Sequence, residues 1–153
     1  MNTKNSPAVN MENLKAFAKN TEVRQCAKGL AAAMVNAKAT RTKVNAYIAP
    51  VFARFTFNDV DGNRITDAER LWLCKDDAKC ARFYEACDEA HREAGYTLPP
   101  GYCPALVAEN EVVQLEVKLL KLASAAFGVN FHEQYGEKRL KALDLFLGVL
   151  KLR

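Results

Sequence analysis

Residues 76–95 read Asp-Asp-Ala-Lys-Cys-Ala-Arg-Phe-Tyr-Glu-Ala-Cys-Asp-Glu-Ala-His-Arg-Glu-Ala-Gly, and this stretch predicts an amphipathic α-helix. Asp76 or Asp77 is a suitable N-cap, and Gly95 can adopt the left-handed conformation that ends a helix. The side chains expected to face a core recur at helical spacing, and they are Cys80, Phe83, Tyr84, Cys87 and His91. A stripe of this width predicts a helix packed on a domain core rather than an isolated one.

The residues before this helix predict a turn region that leads into a short helix. Residues 66–69, Thr-Asp-Ala-Glu, form a capping box and predict a helix through Leu71, Trp72 and Leu73. Residues 51–66 surround an Asp-Gly pair, which is a strong turn former. We therefore expect a short hairpin or irregular insert near residues 51–66.

The N-terminal third predicts three helices after a flexible lead over residues 1–9. The first begins at Asn10, and the second is capped by Thr21 and runs to about Lys38. A third begins at Thr40 or Thr42, and we expect it to stop or kink before Pro50, which lacks a backbone donor. The second helix contains the alanine-rich residues 31–33, whose small side chains would let another helix approach closely.

The C-terminal third predicts two further helices after a proline- and glycine-rich loop over residues 96–103. Pro104 suits the first position of a long helix that reaches about Phe127. A last helix is expected over about Gln134 to Leu152, with leucines at Leu140, Leu143, Leu147 and Leu150. Together these elements predict an all-α fold: one domain over residues 10–153, a bundle of about five to six helices.

Composition narrows the class of protein. A chain of 153 residues that is 50% hydrophobic can bury one ordinary core. No stretch is long and apolar enough to span a membrane, and the polar first ten residues do not resemble a signal peptide. The five cysteines are an odd number, which fits reduced thiols better than a disulfide framework. We therefore expect a cytoplasmic protein with no cofactor.

Charge is unevenly distributed along the chain. Residues 1–57 carry nine Lys/Arg against two acids, residues 58–116 six against thirteen, and residues 117–153 seven against three. Such a pattern acts on encounters with charged partners rather than on the fold. We expect anionic surfaces to be contacted by Lys15, Lys19, Arg24, Lys28, Arg41 and Lys43. Basic surfaces would be contacted by Asp76, Asp77, Asp88, Glu89 and Glu93.

Three constellations could carry chemistry, each beside a simpler structural interpretation. Cys87 and His91 lie four residues apart and could share zinc with Cys103, or could be ordinary core side chains. Residues 59–69 resemble a calcium-binding EF-hand loop that lacks one residue, but an Asp-Gly turn explains the same sequence. Cys103, at a predicted helix start, could be a nucleophile with His91 or His132 as base, or could simply be a small residue at the cap.

The absence of any recognisable catalytic motif favours a non-enzymatic protein. We expect it to bind a protein or a protein–nucleic-acid complex through separate basic and acidic surfaces, without a membrane partner. Direct nucleic-acid binding through the basic N-terminal third is the first alternative, and a zinc- or thiol-dependent enzyme is the second. In its general character the chain is similar to accessory proteins of bacteriophages and mobile elements, a resemblance carried by no particular residue. That resemblance implies inhibition of a host or foreign macromolecule by binding.

Overall fold

The computed structural model describes residues 16–17 and 19–127. This part of the chain contains three α-helices, α1 (Thr21–Ala53), α2 (Asp77–Glu93) and α3 (Pro104–Phe127), and one 3₁₀ helix, η1 (Ala68–Leu73). Residues 16, 17 and 19 are also helical. The all-α class is confirmed, but the described part of the chain does not match the predicted number of five to six helices. The flexible lead over residues 1–9 and the helix over residues 134–152 lie outside the described residues.

One reason for the smaller number is that α1 merges two predicted helices. Nothing between Lys38 and Thr42 breaks the helix, and the Thr42 hydroxyl donates to the Lys38 carbonyl at 3.0 Å. Pro50 lies inside α1 but in its last turn. A proline so close to the end of a helix removes only one hydrogen bond, so α1 continues to Ala53.

The caps of the helices follow local chemistry. Asn20, rather than the predicted Thr21, caps α1, because its side chain accepts from the Val23 amide at 3.1 Å. Asp76 caps α2 as predicted, accepting from the Lys79 amide at 3.0 Å. Gly95 follows α2 with a φ of 95° and completes a Schellman motif, so the predicted end is confirmed.

The chain divides into two compact units, residues 1–36 with 109–153, and residues 37–108. α1 and α3 each contribute residues to both units. The prediction of one domain over residues 10–153 stays a prediction.

The core of unit 37–108 is a cluster of four phenylalanines. The rings of Phe52 and Phe55 both stack on Phe57, with centroids 5.6 Å apart in each pair. Phe83 on α2 meets the other three edge to face at 5.5–5.7 Å. Such pairs add to the free energy gained by burying the rings. The cluster therefore joins the end of α1, the segment after it, and α2.

The segment between α1 and η1 is a tight hairpin-like loop over residues 57–65. Asn58 and Arg64 form an antiparallel bridge, and the Ile65 amide donates to the Phe57 carbonyl at 2.8 Å. Gly62, with a φ of 82°, makes the turn possible. The predicted hairpin or irregular insert thus has this form, but residues 51–53 belong to α1.

The short helix after this loop differs from its prediction. η1 is a 3₁₀ helix, and its cap is Asp67 rather than Thr66. The Asp67 side chain accepts from the Glu69 amide at 2.9 Å, so the predicted reciprocal capping box does not form. An Asp at this position outcompetes Thr because it places its acceptor directly over the first free amides.

The other unit has a slimmer core. Its buried residues on α1 include Cys26, Ala27 and Leu30, and those on α3 include Leu119 and Ala123. The Cys26 thiol donates to the Leu115 carbonyl at 3.6 Å, so α1 and α3 pack against each other in this unit. Among residues 21–127, no helix is long and apolar enough to cross a membrane.

Replacing Phe57 with alanine should cost about 3–5 kcal/mol in the free energy of unfolding, because it removes the most buried ring of the cluster and leaves a cavity. Urea denaturation measures the change. Val60→Ala is the matched control, since Val60 lies in the same loop and is 73% exposed; we expect a change within about 0.5 kcal/mol. A loss below about 1 kcal/mol for Phe57→Ala would contradict this core.

Candidate binding groove

Unit 37–108 contains an open cavity of about 260 Å³, which we call the Tyr84 groove. Its walls come from α1, η1, α2, the loop after α2, and the start of α3. The apolar lining is Val44, Ile48, Ala68, Phe83 and Leu106. The remaining lining residues are Arg41, Asn45, Glu69, Tyr84, Cys87, Asp88, His91, Gly101, Tyr102 and Cys103.

The deepest polar group of the groove is a histidine held by a tyrosine. His91 is only 6% exposed, and its Nδ1 lies 2.5 Å from the Tyr47 hydroxyl. The two rings also meet edge to face, with centroids 5.5 Å apart. Burial lowers the pKa of His91, with the Asp88 carboxylate opposing the effect, and burial raises the pKa of Tyr47 to about 12. The pair is therefore neutral at neutral pH.

Two cysteines share the groove with this histidine. Cys87 is buried, and Cys103 is the residue just before α3, where its carbonyl accepts from the Val107 amide at 3.0 Å. The predicted position of Cys103 at a helix start is thus confirmed. Burial raises the pKa of Cys87 to about 12, so its thiol stays protonated and is a poor nucleophile.

The rim of the groove carries large exposed side chains. Tyr84, Tyr102 and Leu106 are 53%, 55% and 59% exposed. Trp72, at 71% exposed, lies on the edge of η1 that Glu69 also occupies, because residues three apart eclipse in a 3₁₀ helix. Exposed tyrosine and tryptophan beside an apolar cavity are typical of surfaces that bind other proteins.

Asp88 holds the rim loop in place. Both of its carboxylate oxygens accept from the Gly101 amide, at 3.0 and 3.2 Å. Gly101 has a φ of 84°, and the Tyr102 amide closes a turn onto the Pro99 carbonyl. Asp88, predicted to contact a partner, therefore positions the loop that carries Tyr102.

The other predicted acidic residues lie at two places on α2. Asp76 is the N-cap, so its carboxylate is used within the fold, and Asp77 is exposed in the first turn. Glu89 and Glu93 are exposed and line a second cavity that Arg54 and Tyr47 also line. Among the predicted acidic residues, Asp77, Glu89 and Glu93 thus present exposed carboxylates, whereas Asp76 and Asp88 hold a helix end and a loop.

The predicted basic residues separate between the two units. Lys19, Arg24 and Lys28 are exposed in one unit, and Lys15 lies outside the described residues. In unit 37–108, Arg41 lines the Tyr84 groove, whereas the Lys43 ammonium lies 5.2 Å from the centre of the Tyr96 ring. That distance is a cation–π contact, so Lys43 also braces the loop after α2.

The metal alternatives find no ligand set in the described part of the chain. There, no group of three or more His, Cys, Asp or Glu side chains could hold a metal ion. Cys87, His91 and Cys103 do line one groove, but His91 Nδ1 is engaged by Tyr47. In the calcium-like loop, Asp59 accepts from the amides of Asp61 and Asn63, both at 2.9 Å, as a turn-forming residue does.

Sequence reasoning missed Leu106 at the rim of the groove and Tyr47, which holds His91 from outside the lining. Tyr47 was expected only as a helix residue, and its pairing with His91 joins residues 44 positions apart. Leu106 belongs to a predicted helix whose outward face has no distinguishing pattern. Tyr84 was assigned to the buried stripe of α2, but it is half exposed at the rim.

Comparisons of the chain with protein-family models, with curated proteins and with solved structures find no match. The function is therefore argued from the groove and the charged surfaces.

The stability of the protein should fall as the pH drops below about 6.5, and His91→Asn should flatten this dependence. The unfolded chain takes up a proton near pH 6.5, whereas the folded state resists it because burial lowers the pKa of His91. Each unit of pH between the two pKa values therefore costs at most about 1.4 kcal/mol. Urea denaturation between pH 7.5 and 5 measures the slope; equal slopes in both proteins would contradict the buried neutral histidine.

Asp88→Ala should free the Gly101 amide and loosen the loop that carries Tyr102. We expect hydrogen exchange at Gly101 to accelerate at least about tenfold, which corresponds to a loss of about 1.4 kcal/mol of local stability. Asp88→Asn keeps one acceptor oxygen, so its exchange rate at Gly101 should lie between those of the unaltered chain and Asp88→Ala. Glu89→Ala, one residue away and exposed, is the control and should leave Gly101 unchanged. Unchanged exchange in Asp88→Ala would mean that other contacts hold the loop.

Proposed function

We propose that this chain is a non-enzymatic binding protein that acts on a protein or a protein–nucleic-acid complex, with an apolar side chain of the partner entering the Tyr84 groove. The observation that carries the proposal is the ring of half-exposed Tyr84, Tyr102 and Leu106 around an apolar cavity. Burying such side chains against a partner gains free energy, and tyrosine does so at little cost in rotamer entropy.

The ionisation of the lining favours binding over catalysis. At neutral pH the Cys87 thiol of the lining is protonated and His91 is uncharged, and the Tyr47 hydroxyl that holds His91 is protonated as well. A general base poised for catalysis would have a pKa near the working pH, and a nucleophilic cysteine would have a lowered one. The uncharged Cys87 and His91 can instead cover an apolar side chain without desolvating a charge of their own, and the charged part of the lining is Arg41, Glu69 and Asp88.

Charged surfaces would add to this contact by steering the encounter. Lys19, Arg24 and Lys28 are exposed, as are Glu89 and Glu93 on α2. Exposed charges of this kind mainly change the association rate and its salt dependence. An accessory or inhibitory role remains part of the proposal, because such proteins act by occupying a partner rather than by transforming it.

Direct nucleic-acid binding is a second candidate, favoured by one feature of α1. Arg24 and Lys28 are both exposed and lie one helical turn apart, while the nearby Glu22 pairs with Lys118 at 3.9 Å. Binding through phosphates would weaken steeply with salt, whereas binding through the Tyr84 groove would not. Titration of a labelled random-sequence DNA duplex at 50 and 200 mM salt separates the two, with Arg24→Glu/Lys28→Glu as the variant.

A photo-crosslinking residue in place of Tyr102 should capture the protein partner, and one in place of Val60 should not. Tyr102 lies at the rim of the groove, whereas Val60 is exposed in a loop that does not line it. The crosslinked protein is identified by mass spectrometry in extracts of the source cell. Purified partner and chain are then mixed, and their affinity is measured by calorimetry.

Leu106→Asp should lower the affinity for that partner at least about 100-fold, as expected for loss of a central apolar contact and burial of a charge. Val113→Asp is the matched control, because Val113 is exposed on the same helix but does not line the groove. Circular dichroism checks that both variants fold. Equal affinity of Leu106→Asp and the unaltered chain would refute groove binding. A variant with Lys19, Arg24 and Lys28 all changed to Glu tests the basic surface. If this variant binds the partner with the affinity of the unaltered chain, steering by the basic surface is refuted.

A further inference from the structure

We infer that Cys74 and Cys80 form a redox-responsive dithiol, which a small-molecule disulfide converts into one intramolecular disulfide. This site is separate from the Tyr84 groove, and its chemistry does not depend on the function proposed above. It rests on how the chain reverses direction at the start of α2 and on the packing of the two side chains.

The backbone brings the two cysteines together. Cys74 lies two residues before Asp76, the N-cap of α2, and its amide donates to the Leu71 carbonyl at 2.9 Å. Cys80 lies in the first turn of α2, where its amide donates to the Asp76 carbonyl at 3.0 Å. Only the turn into α2 and its first residues therefore separate the two cysteines along the chain.

The side chains meet in the same core. Cys74 is 8% exposed and belongs to the phenylalanine-containing cluster of unit 37–108, and Cys80 packs against that cluster. The Cys74 thiol lies close enough to Cys80 to raise the pKa of the Cys80 thiol. Cys80 is partly exposed, so a reagent from solvent reaches it first.

The reaction balances as two thiol–disulfide exchanges. The Cys80 thiolate attacks one sulfur of glutathione disulfide, which forms a mixed disulfide and releases one glutathione thiolate. The Cys74 thiolate then attacks the Cys80 sulfur and displaces the second glutathione. The two protons lost by the cysteines end on the two glutathione thiols, so the protein is oxidised by two electrons and the glutathione disulfide is reduced by two.

The other cysteines of the chain are placed less well for this exchange. Cys26 donates to the Leu115 carbonyl in the other unit. Cys87 is buried, and burial raises its pKa to about 12, so little thiolate forms. The pair that competes is Cys87 with Cys103, since both line the Tyr84 groove.

The rate of the reaction should depend on pH. Burial raises the pKa of Cys80, and the neighbouring Cys74, Asp76 and Asp77 raise it further. Below that pKa the thiolate fraction, and with it the rate of attack, rises about tenfold for each unit of pH. Oxidation should therefore be about ten times faster at pH 8 than at pH 7.

The disulfide would tie the end of η1 to the first turn of α2. η1 carries Glu69, which lines the Tyr84 groove, and Trp72, which is the single tryptophan of the chain. Because Trp72 is two residues from Cys74, its fluorescence reports on the local change when the two sulfurs join.

The test is to incubate the folded, full-length protein in a glutathione redox buffer, block remaining thiols, and map disulfides by mass spectrometry after trypsin digestion. Cleavage after Arg70, Lys75, Lys79 and Arg82 places the two cysteines in the short peptides 71–75 and 80–82. We expect one dominant linked pair of these peptides and a loss of two mass units in the intact chain. The unaltered protein alone gives this result, so it does not depend on the folding of a variant.

Cys80→Ser should abolish the linked peptides and the fluorescence change, whereas Cys26→Ser, at a buried cysteine of the other unit, should retain both. A dominant Cys87–Cys103 link would overturn the inference, as would stable glutathione adducts at Cys80 without closure to Cys74. An oxidation rate that does not change between pH 7 and pH 8 would also contradict the proposed attack by the Cys80 thiolate.

Discussion

The edge-to-face packing of Phe83 against Phe52, Phe55 and Phe57 is the contact on which unit 37–108 depends. These rings come from three places: the end of α1, the segment that follows it, and the middle of α2. No β-sheet organises the described part of this unit, so the side chains rather than a hydrogen-bonded ladder fix where these elements lie. The backbone bonds of the 57–65 loop then hold Phe57 in position, and Lys79 adds a bond from α2 to the Thr56 carbonyl at 2.9 Å.

The same packing produces the Tyr84 groove. Phe83 faces the core, and the next residue of α2, Tyr84, is turned about 100° around the helix and stands at the rim. One turn further along α2, Cys87 faces the core, and Asp88 faces the loop that carries Gly101. A helix that packs on one side and presents tyrosine on its flank therefore creates both the floor and the edge of a binding surface.

Local signals in the sequence predicted the helices whose ends have strong caps. Asp76 and Gly95 bound α2, and Pro104 begins α3, because a cap or a proline acts on the amides of its own turn. α1 was predicted as two helices that divide between Lys38 and Thr42, and Pro50 was expected to stop or kink the second of them. In the last turn of a helix a proline removes few hydrogen bonds, and only the packing of the residues beyond it decides where the helix ends.

The site was less predictable for a different reason. Charge counting cannot separate an acid that caps or pins the backbone from one that is free to meet a partner, and Asp76 and Asp88 are of the first kind. The neutral state of His91 depends on its burial in the fold, and its ring is held by a tyrosine 44 residues away, a distance in sequence over which no spacing rule acts. The polar residues of this fold thus fall into two groups: those used to hold loops and helix ends, and those left at the surface. The second group can be recognised only after the partners of the first are known.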